Sequence, residues 1–183
     1  MTLYLFRHAA VEQKYQGCYN GHIDINASKE GLKEAKENFE TIKSVHFDAI
    51  FSSTLKRAKQ TIESLGIIDN VIYSDIIREK SWGRHEGKNY DEVVAMESQS
   101  YENFYQWMEV MDGEDYQDFI DDIGDFLRKL SEESYENVLL MTHAGVIYVL
   151  VHLILGKSLE EAFNINISYG NYCKIKVKSE KNS

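Results

Sequence analysis

The stretch Leu3-Tyr4-Leu5-Phe6-Arg7-His8-Ala9-Ala10 sets the reading of the whole chain. A run of apolar residues stops abruptly at an arginine and a histidine, and small residues follow. A short apolar run without alternation is the pattern of a strand buried on both faces, as in a parallel sheet. Arginine beside histidine at the tip of such a strand suits chemistry on a phosphoryl group. The guanidinium makes bidentate, charge-assisted contacts to phosphate oxygens, and a neutral imidazole carries a reactive lone pair.

Working outward, strands alternate with helices. After a loop over 10–27, Ser28 is placed to cap a helix with Leu32, Ala35, Phe39 and Ile42 on one face. Residues 47–52 (FDAIFS) read as a second strand. Thr54 is expected to open a second helix carrying Leu55, Ala58, Ile62 and Leu65, closed by Gly66. A short edge strand is expected over 70–74 and a loop over 81–89. From Asp91 to Met111 the chain reads as one aromatic, acidic helix, broken by Gly113, and a further helix follows from about Tyr116 to Leu130. Residues 137–142 (NVLLMT) read as an apolar strand, joined through His143-Ala144-Gly145 to a buried helix over 146–155. Residues 172–178 alternate as the last strand, and 179–183 read as a tail. The strands at 2–6, 47–52 and 137–142 are apolar on both faces. The expected fold is therefore α/β, a three-layer α/β/α sandwich with a mainly parallel sheet. One domain over 1–183 is expected, with the helical stretch 85–130 as a small cap over the sheet's edge.

A chain of 183 residues suits one domain with a real core. Its net charge of −10 argues against non-specific nucleic-acid or anionic-membrane binding. A small anionic substrate in a locally basic pocket stays compatible with it. Cys18 and Cys173 are far apart and form no CxxC, so they read as reduced thiols of a cytoplasmic protein. The N-terminal apolar run closes at Arg7, and the longest one, 146–155, is shorter than a bilayer span and holds His152. Neither a secretory signal nor a membrane span is expected. Proline is absent, and nothing in the sequence accounts for it.

In sheets of this kind ligands bind at the carboxyl ends of strands. Arg7-His8 ends the first strand. Ser52-Ser53 ends the second, with Arg57 one turn into the next helix. Thr142-His143 ends the third, just before a helix N-terminus, whose free N–H groups favour anions.

These residues fall in four motifs that resemble those of the histidine phosphatase superfamily, with its phosphoglycerate-mutase-like fold. Leu5-Phe6-Arg7-His8-Ala9 resembles the family's RHG. Ser52-Ser53-Thr54-Leu55-Lys56-Arg57-Ala58-Lys59-Gln60-Thr61 resembles its SSxLxRAxQT. Arg78-Glu79 with Trp82-Gly83-Arg84-His85-Glu86-Gly87 resembles its RE…(F/W)GxxEG, and Thr142-His143-Ala144-Gly145 its (S/T)HxG. All four stand in the family's order between positions 3 and 145.

The resemblance implies roles. His8 would be the nucleophile that takes the phosphoryl group, which requires a neutral ring. Arg7, Arg57 and His143 would hold the phosphoryl oxygens, with Ala144 beside them. Glu79 would protonate the leaving oxygen and then draw a proton from water. Asn20 and Gly21 would contact the phosphate or the leaving group. The implied mechanism needs no metal and no cofactor, and the histidines lack ligand spacings such as HExxH. Two positions depart from the family pattern. Ala9 replaces the usual glycine, which leaves the orientation of His8 to be checked. His85 stands where many members carry tryptophan.

Each of these residues has a plainer reading. Arg57 alone reads as a solvated helix residue, and His143 as a buried structural one. Glu86 competes with Glu79 for the acid role. His152 reads as a satisfied core histidine, His22 as either a substrate contact or a solvated loop residue, and His46 as surface. Tyr101, Phe104, Tyr105 and Trp107 read as cap packing before a substrate stack. Glu114, Asp115, Asp118, Asp121 and Asp122 read as a solvated helix face.

Within the superfamily, Gly17-Cys18-Tyr19-Asn20-Gly21-His22, Tyr105-Gln106-Trp107, Gly113-Glu114 and the segment Phe163–Ile175 resemble the α-ribazole phosphatases of cobalamin assembly. That resemblance implies hydrolysis of a small phosphorylated metabolite, with phosphate as product, by a monomer or homodimer. The alternatives are a broad-specificity phosphatase, a phosphoglycerate mutase, and a member that binds a phosphorylated ligand without catalysis. The mutases that it resembles carry longer insertions and a C-terminal tail over the site, while little follows the last strand read here, so the mutase is the less expected reading.

Overall fold

The structure is a computed structural model and describes residues 1–178; the tail expected at 179–183 lies outside the described residues. Five strands form one sheet: β1 (Thr2–Arg7), β2 (Ala49–Ser53), β3 (Val71–Ser74), β4 (Asn137–Thr142) and β5 (Tyr172–Lys176). Their order is β3-β2-β4-β1-β5. The first four run parallel, and β5 lies antiparallel on the edge beside β1. The mainly parallel sheet expected from the apolar strands is therefore present.

Alternation along the strands builds the layers. Leu3 and Leu5 of β1, with Val138 and Leu140 of β4, pack under α5 (Tyr116–Glu132) and α6 (Ala144–Leu155), against Ile123, Ile147 and Leu150. Tyr4, Phe6, Leu139 and Met141 point to the other face. There they meet α1 (Lys29–Phe39) and α2 (Lys56–Ser64) through Ala35, Phe39, Ala58 and Ile62. At roughly 1.5–3 kcal/mol per fully buried side chain, these two layers hold the sheet between them.

Register then gathers the strand ends. Arg7 pairs with Thr142, and Ser52 pairs with Met141. The tips of β1, β2 and β4 therefore sit side by side at one edge. Because β5 is antiparallel, its beginning lies at that edge too, with Tyr172 opposite Phe6. The loop ahead of β5 is delivered to the same place.

Ser28 caps α1 as expected, accepting from Gly31 N–H at 3.0 Å. Thr54 does not open α2. The helix begins at Lys56 after extended Leu55, because the Thr54 hydroxyl is engaged with Asp75. The single helix expected over 91–111 is two, α3 (Tyr90–Glu97) and α4 (Phe104–Val110). Ser98 ends α3 in the left-handed region, at φ 52°. Asn103 caps α4 by accepting from Gln106 N–H. A short helix α7 (Leu159–Phe163), started by a Ser158/Glu161 capping box, was not signalled by the periodicity.

Of the stretch expected as a cap, α3 and α4 build a cluster of their own around Trp82, Val93, Tyr101, Phe104, Trp107 and Val110. Helix α5 belongs instead to the layer on the sheet, through Phe119, Ile120 and Ile123. Tyr105 is exposed, unlike the other three aromatic residues expected to pack there. His152 is not a core residue: it is half-buried near the end of α6 and its Nδ1 meets the Lys157 carbonyl at 2.6 Å.

Candidate active site

His8 follows directly on β1. Its backbone N–H donates to Thr142 O at 2.9 Å, and its carbonyl accepts from Gly170 N–H at 2.9 Å. The ring is buried, with Nδ1 2.8 Å from the Ala9 carbonyl. A carbonyl only accepts, so Nδ1 carries the hydrogen and the neutral ring keeps its lone pair on Nε2. Burial, and after it the Arg57 and Arg7 guanidinium groups, push this histidine well below its ordinary value. Alanine in place of the family's glycine leaves this arrangement intact, because the orienting atom is backbone. The Ala9 methyl joins the core layer under α1 and α2, and its N–H donates to Thr61 Oγ1 at 2.9 Å.

Two guanidinium groups flank the ring by different means. Arg57 is 1% exposed; it donates from Nη1 to Ile23 O and from Nη2 to the carbonyls of Asn20 and Gly21, at 2.7–2.9 Å. Arg7 donates from Nη1 to Ile167 O at 2.6 Å, and its guanidinium carbon lies 3.9 Å from the centre of the Tyr169 ring. Neither is paired with a carboxylate among the described residues. His143 precedes α6, with its ring centre 5.0 Å from that of His8 and Nε2 2.7 Å from Ser53 Oγ. Burial and the same two arginines, with His8, also push it well below its ordinary value.

The two acidic candidates separate cleanly. Glu79 is buried and lines the cavity. One oxygen accepts from Lys80 N–H and the other from Gly145 N–H, each at 3.0 Å. Burial outweighs these bonds and the pull of Arg57 and Arg7, and raises its pKa. Gly145 permits the approach, since a Cβ there would collide with the Glu79 carboxylate. Glu86, by contrast, accepts backbone N–H groups of Gly21, His22, Ile23 and Trp82 at 2.8–3.2 Å. It clamps the loop after the first strand to the segment before α3, and does not line the cavity.

Asn20 and Ala144 line the cavity. The Asn20 amide donates to Tyr15 O at 2.8 Å. Gly21 does not line it: its N–H donates to Glu86 and its carbonyl accepts from Arg57. Both of its backbone polar groups are thus engaged within the protein. His22 stays outside the cavity, 3.7 Å from Glu114. Glu114 is half-buried ahead of α5 rather than on a helix face, and accepts from Ser81 N–H at 2.6 Å. His85 is fully buried: it accepts Asp112 N–H at Nδ1 and meets Glu97 at Nε2, 2.7 Å away. It ties α3 to the turn before α5, a packing role for the position where other members carry tryptophan.

The cavity in front of His8 has a volume of about 220 Å³. Its walls beyond Arg7, His8, Glu79 and Asn20 are mainly aromatic, with Tyr19, Trp82, Trp107, Tyr116, Tyr148, Phe163 and Tyr169. Among the described residues, four buried side-chain polar atoms have no hydrogen-bond partner: Arg7 Nε, Arg57 Nε, His143 Nδ1 and Asn20 Oδ1. Buried polar atoms normally find partners; of these residues Arg7 and Asn20 line the cavity, while Arg57 and His143 are not among its lining residues and His143 lies against His8, which is. Sequence reasoning gave Tyr169, Tyr148 and Lys80 no role at the site. The signs of Tyr169 were its place just ahead of the last strand and its membership of the Phe163–Ile175 segment that resembles the α-ribazole phosphatases.

The arrangement is that of a phosphoryl-transfer site, and comparison with known proteins agrees. The chain belongs to the histidine phosphatase superfamily (branch 1), whose family model matches residues 3–183, and it is accordingly a phosphoric monoester hydrolase. It is 26% identical over 187 residues to the adenosylcobalamin/α-ribazole phosphatase of Escherichia coli K12, covering 98% of this chain and 92% of that one. It is 28% identical over 191 residues to phosphoserine phosphatase 1 of Hydrogenobacter thermophilus, covering 100% and 89%. Among solved structures, YhfR of Bacillus stearothermophilus superposes with a TM-score of 0.82 at 25% identity, over 97% of this chain and 91% of that one. The α-ribazole phosphatase of Shigella flexneri shares the fold, with a TM-score of 0.81 at 24% identity over 97% and 91%. The phosphoglycerate-mutase-like fold expected from the motifs is thus the one adopted.

Proposed function

We propose that the protein hydrolyses a small phosphomonoester through a phosphohistidine on His8. The observation that carries this reading is the neutral His8 ring, fixed by Ala9 O with Nε2 free, beside two buried guanidinium N–H donors on Arg7 and Arg57 and a buried ring nitrogen of His143 that have no protein partners. The lone pair of Nε2 attacks phosphorus as the ester P–O bond breaks, and Glu79 gives its proton to the leaving oxygen. Water then attacks the phosphohistidine, the P–N bond breaks, and the Glu79 carboxylate takes the water's proton. Inorganic phosphate leaves and neutral His8 is restored. Arg7, Arg57 and His143 offset the charge on the phosphoryl oxygens, and Asn20 and Ala144 line the entry to them. The raised pKa of a buried Glu79 suits a group that must first hold a proton.

The substrate we propose is α-ribazole 5′-phosphate. Support comes from the aromatic walls, which suit a flat heterocycle, and from relatives of that name. The helices α3 and α4 would serve as the cap over this leaving group. The test is phosphate release from a panel containing α-ribazole 5′-phosphate, phosphoserine and 2- and 3-phosphoglycerate. A kcat/KM for α-ribazole 5′-phosphate at least tenfold above the others is expected. Comparable values across the panel would replace this substrate with a broad specificity.

A further inference from the structure

Lys80 is a buried cation that the reaction described above does not use. It is 4% exposed and lines the same cavity as His8. Its ammonium sits 4.4 Å from the centre of the Trp82 ring and donates to two carbonyls, Ser81 O at 3.1 Å and Asp112 O at 3.4 Å. An ammonium has three N–H groups, and these bonds engage two of them.

The four carboxylates around it are turned elsewhere: Glu79 accepts from the backbone N–H groups of Lys80 and Gly145, and Asp115 caps α5 by accepting from Gln117 and Asp118 N–H. Glu114 accepts from Ser81 N–H and faces His22; Asp112 accepts from Arg84 N–H and faces its guanidinium. None of the ion pairs among the described residues includes Lys80. Burial pushes its pKa down despite the surrounding acids. A buried lysine without an ion pair is rare and costly.

In a cavity still open to water the remaining N–H can be solvated. A substrate that fills the cavity changes this. If it places hydrocarbon against Lys80 the charge is stranded; if it places an oxygen or nitrogen acceptor there the charge is satisfied. A site of this kind discriminates mainly by penalising the analogue that lacks the acceptor.

We infer that Lys80 selects the leaving group, by donating a hydrogen bond to an oxygen or nitrogen acceptor on it and disfavouring phosphomonoesters whose leaving group offers none. The inference rests on the phosphatase reading and deepens it: hydroxyl-bearing esters of the sugar phosphate type are favoured over plain aryl esters. The step it governs is binding and positioning of the leaving group, while the chemistry stays with His8 and Glu79.

The test compares kcat/KM for α-ribazole 5′-phosphate and ribose 5-phosphate with that for phenyl phosphate, in the unaltered protein, Lys80→Met and Lys80→Gln. Comparing each variant with the unaltered protein on the same ester cancels the intrinsic reactivity of that ester. Lys80→Met is expected to lose roughly 10- to 100-fold on both ribosyl esters, the worth of one hydrogen bond to a charged group. Phenyl phosphate is expected to change far less or to improve. Lys80→Gln, which keeps an N–H donor, is expected to recover part of the ribosyl loss. An equal loss on all three esters, with a lowered Tm, would assign Lys80 to packing and overturn the inference, as would no change on any of them. If the unaltered protein hydrolyses none of the three but releases phosphate from phosphoserine or a phosphoglycerate, this inference falls and the phosphatase reading stands; release from none of these esters overturns both.

Discussion

The His8 imidazole is oriented by the carbonyl of the very next residue, with Nδ1 2.8 Å from Ala9 O. A backbone acceptor at that distance fixes the tautomer whatever side chain position 9 carries, and Ala9 itself is fully buried. The pair explains how a chain that departs from the family's glycine keeps its central histidine in register. The charge of the ring is set by burial and the two guanidinium groups, which keep it neutral against the opposing pull of the Ala9 bond.

That neutrality makes folding stability depend on pH. His8 and His143 both have folded values well below the ordinary one. Below about pH 6.5 the unfolded chain takes up protons that the folded protein refuses, so stability falls as pH falls. Each histidine contributes at most about 1.4 kcal/mol per pH unit. Urea midpoints measured from pH 7 to pH 5 in the wild type and in His8→Gln should show a shallower acid loss in the variant. The comparison isolates His8 from Glu79, whose raised value works in the opposite direction.

Glu79→Gln removes the proton shuttle while keeping the size of the side chain. Alkyl phosphates, whose leaving oxygen needs the proton, should lose about 10²- to 10⁴-fold in kcat. An activated aryl phosphate should lose far less in its first step. Single-turnover rates on both substrates measure the difference; equal losses would move the acid role away from Glu79.

Glu86→Ala should behave in the reverse way. It strips the acceptor from four backbone N–H groups. At about 1 kcal/mol or less for each partly exposed group, a loss of about 2–4 kcal/mol in denaturant unfolding is expected. The ratio of alkyl to aryl turnover should stay as in the wild type in whatever fraction remains folded.

Tyr169 supports Arg7 from below, 3.9 Å from its guanidinium carbon. Tyr169→Phe keeps the ring and should leave vanadate inhibition nearly unchanged. Tyr169→Ala should weaken it by roughly 3- to 30-fold, the range of one partly buried cation–π contact, with a matching rise in KM.

What could be read from residues alone follows from how local each signal is. Arg7-His8, Ser53, Arg57 and His143 were legible because each sits at or just after the carboxyl end of an apolar run, and parallel strands bring those ends together. The break between α3 and α4 was not legible: Tyr101, Phe104, Tyr105 and Trp107 keep helical spacing across it, and the residue that ends α3 is Ser98, not glycine. The contribution of the loop before β5 was hidden for a different reason. Ile167, Tyr169 and Gly170 reach Arg7 and His8 only because β5 is antiparallel beside β1, which no local pattern encodes. That Glu79 lines the cavity while Glu86 binds four backbone N–H groups was likewise a matter of where those groups point.

The central claim is that His8 carries the phosphoryl group, and rapid acid-free quenching of a turnover with phosphorus-labelled substrate tests it directly. The expected result is a stoichiometric, acid-labile and alkali-stable label on the peptide containing His8, absent in a folded His8→Ala variant that no longer turns over. Turnover retained by His8→Ala, or a label on any other residue, would contradict the account.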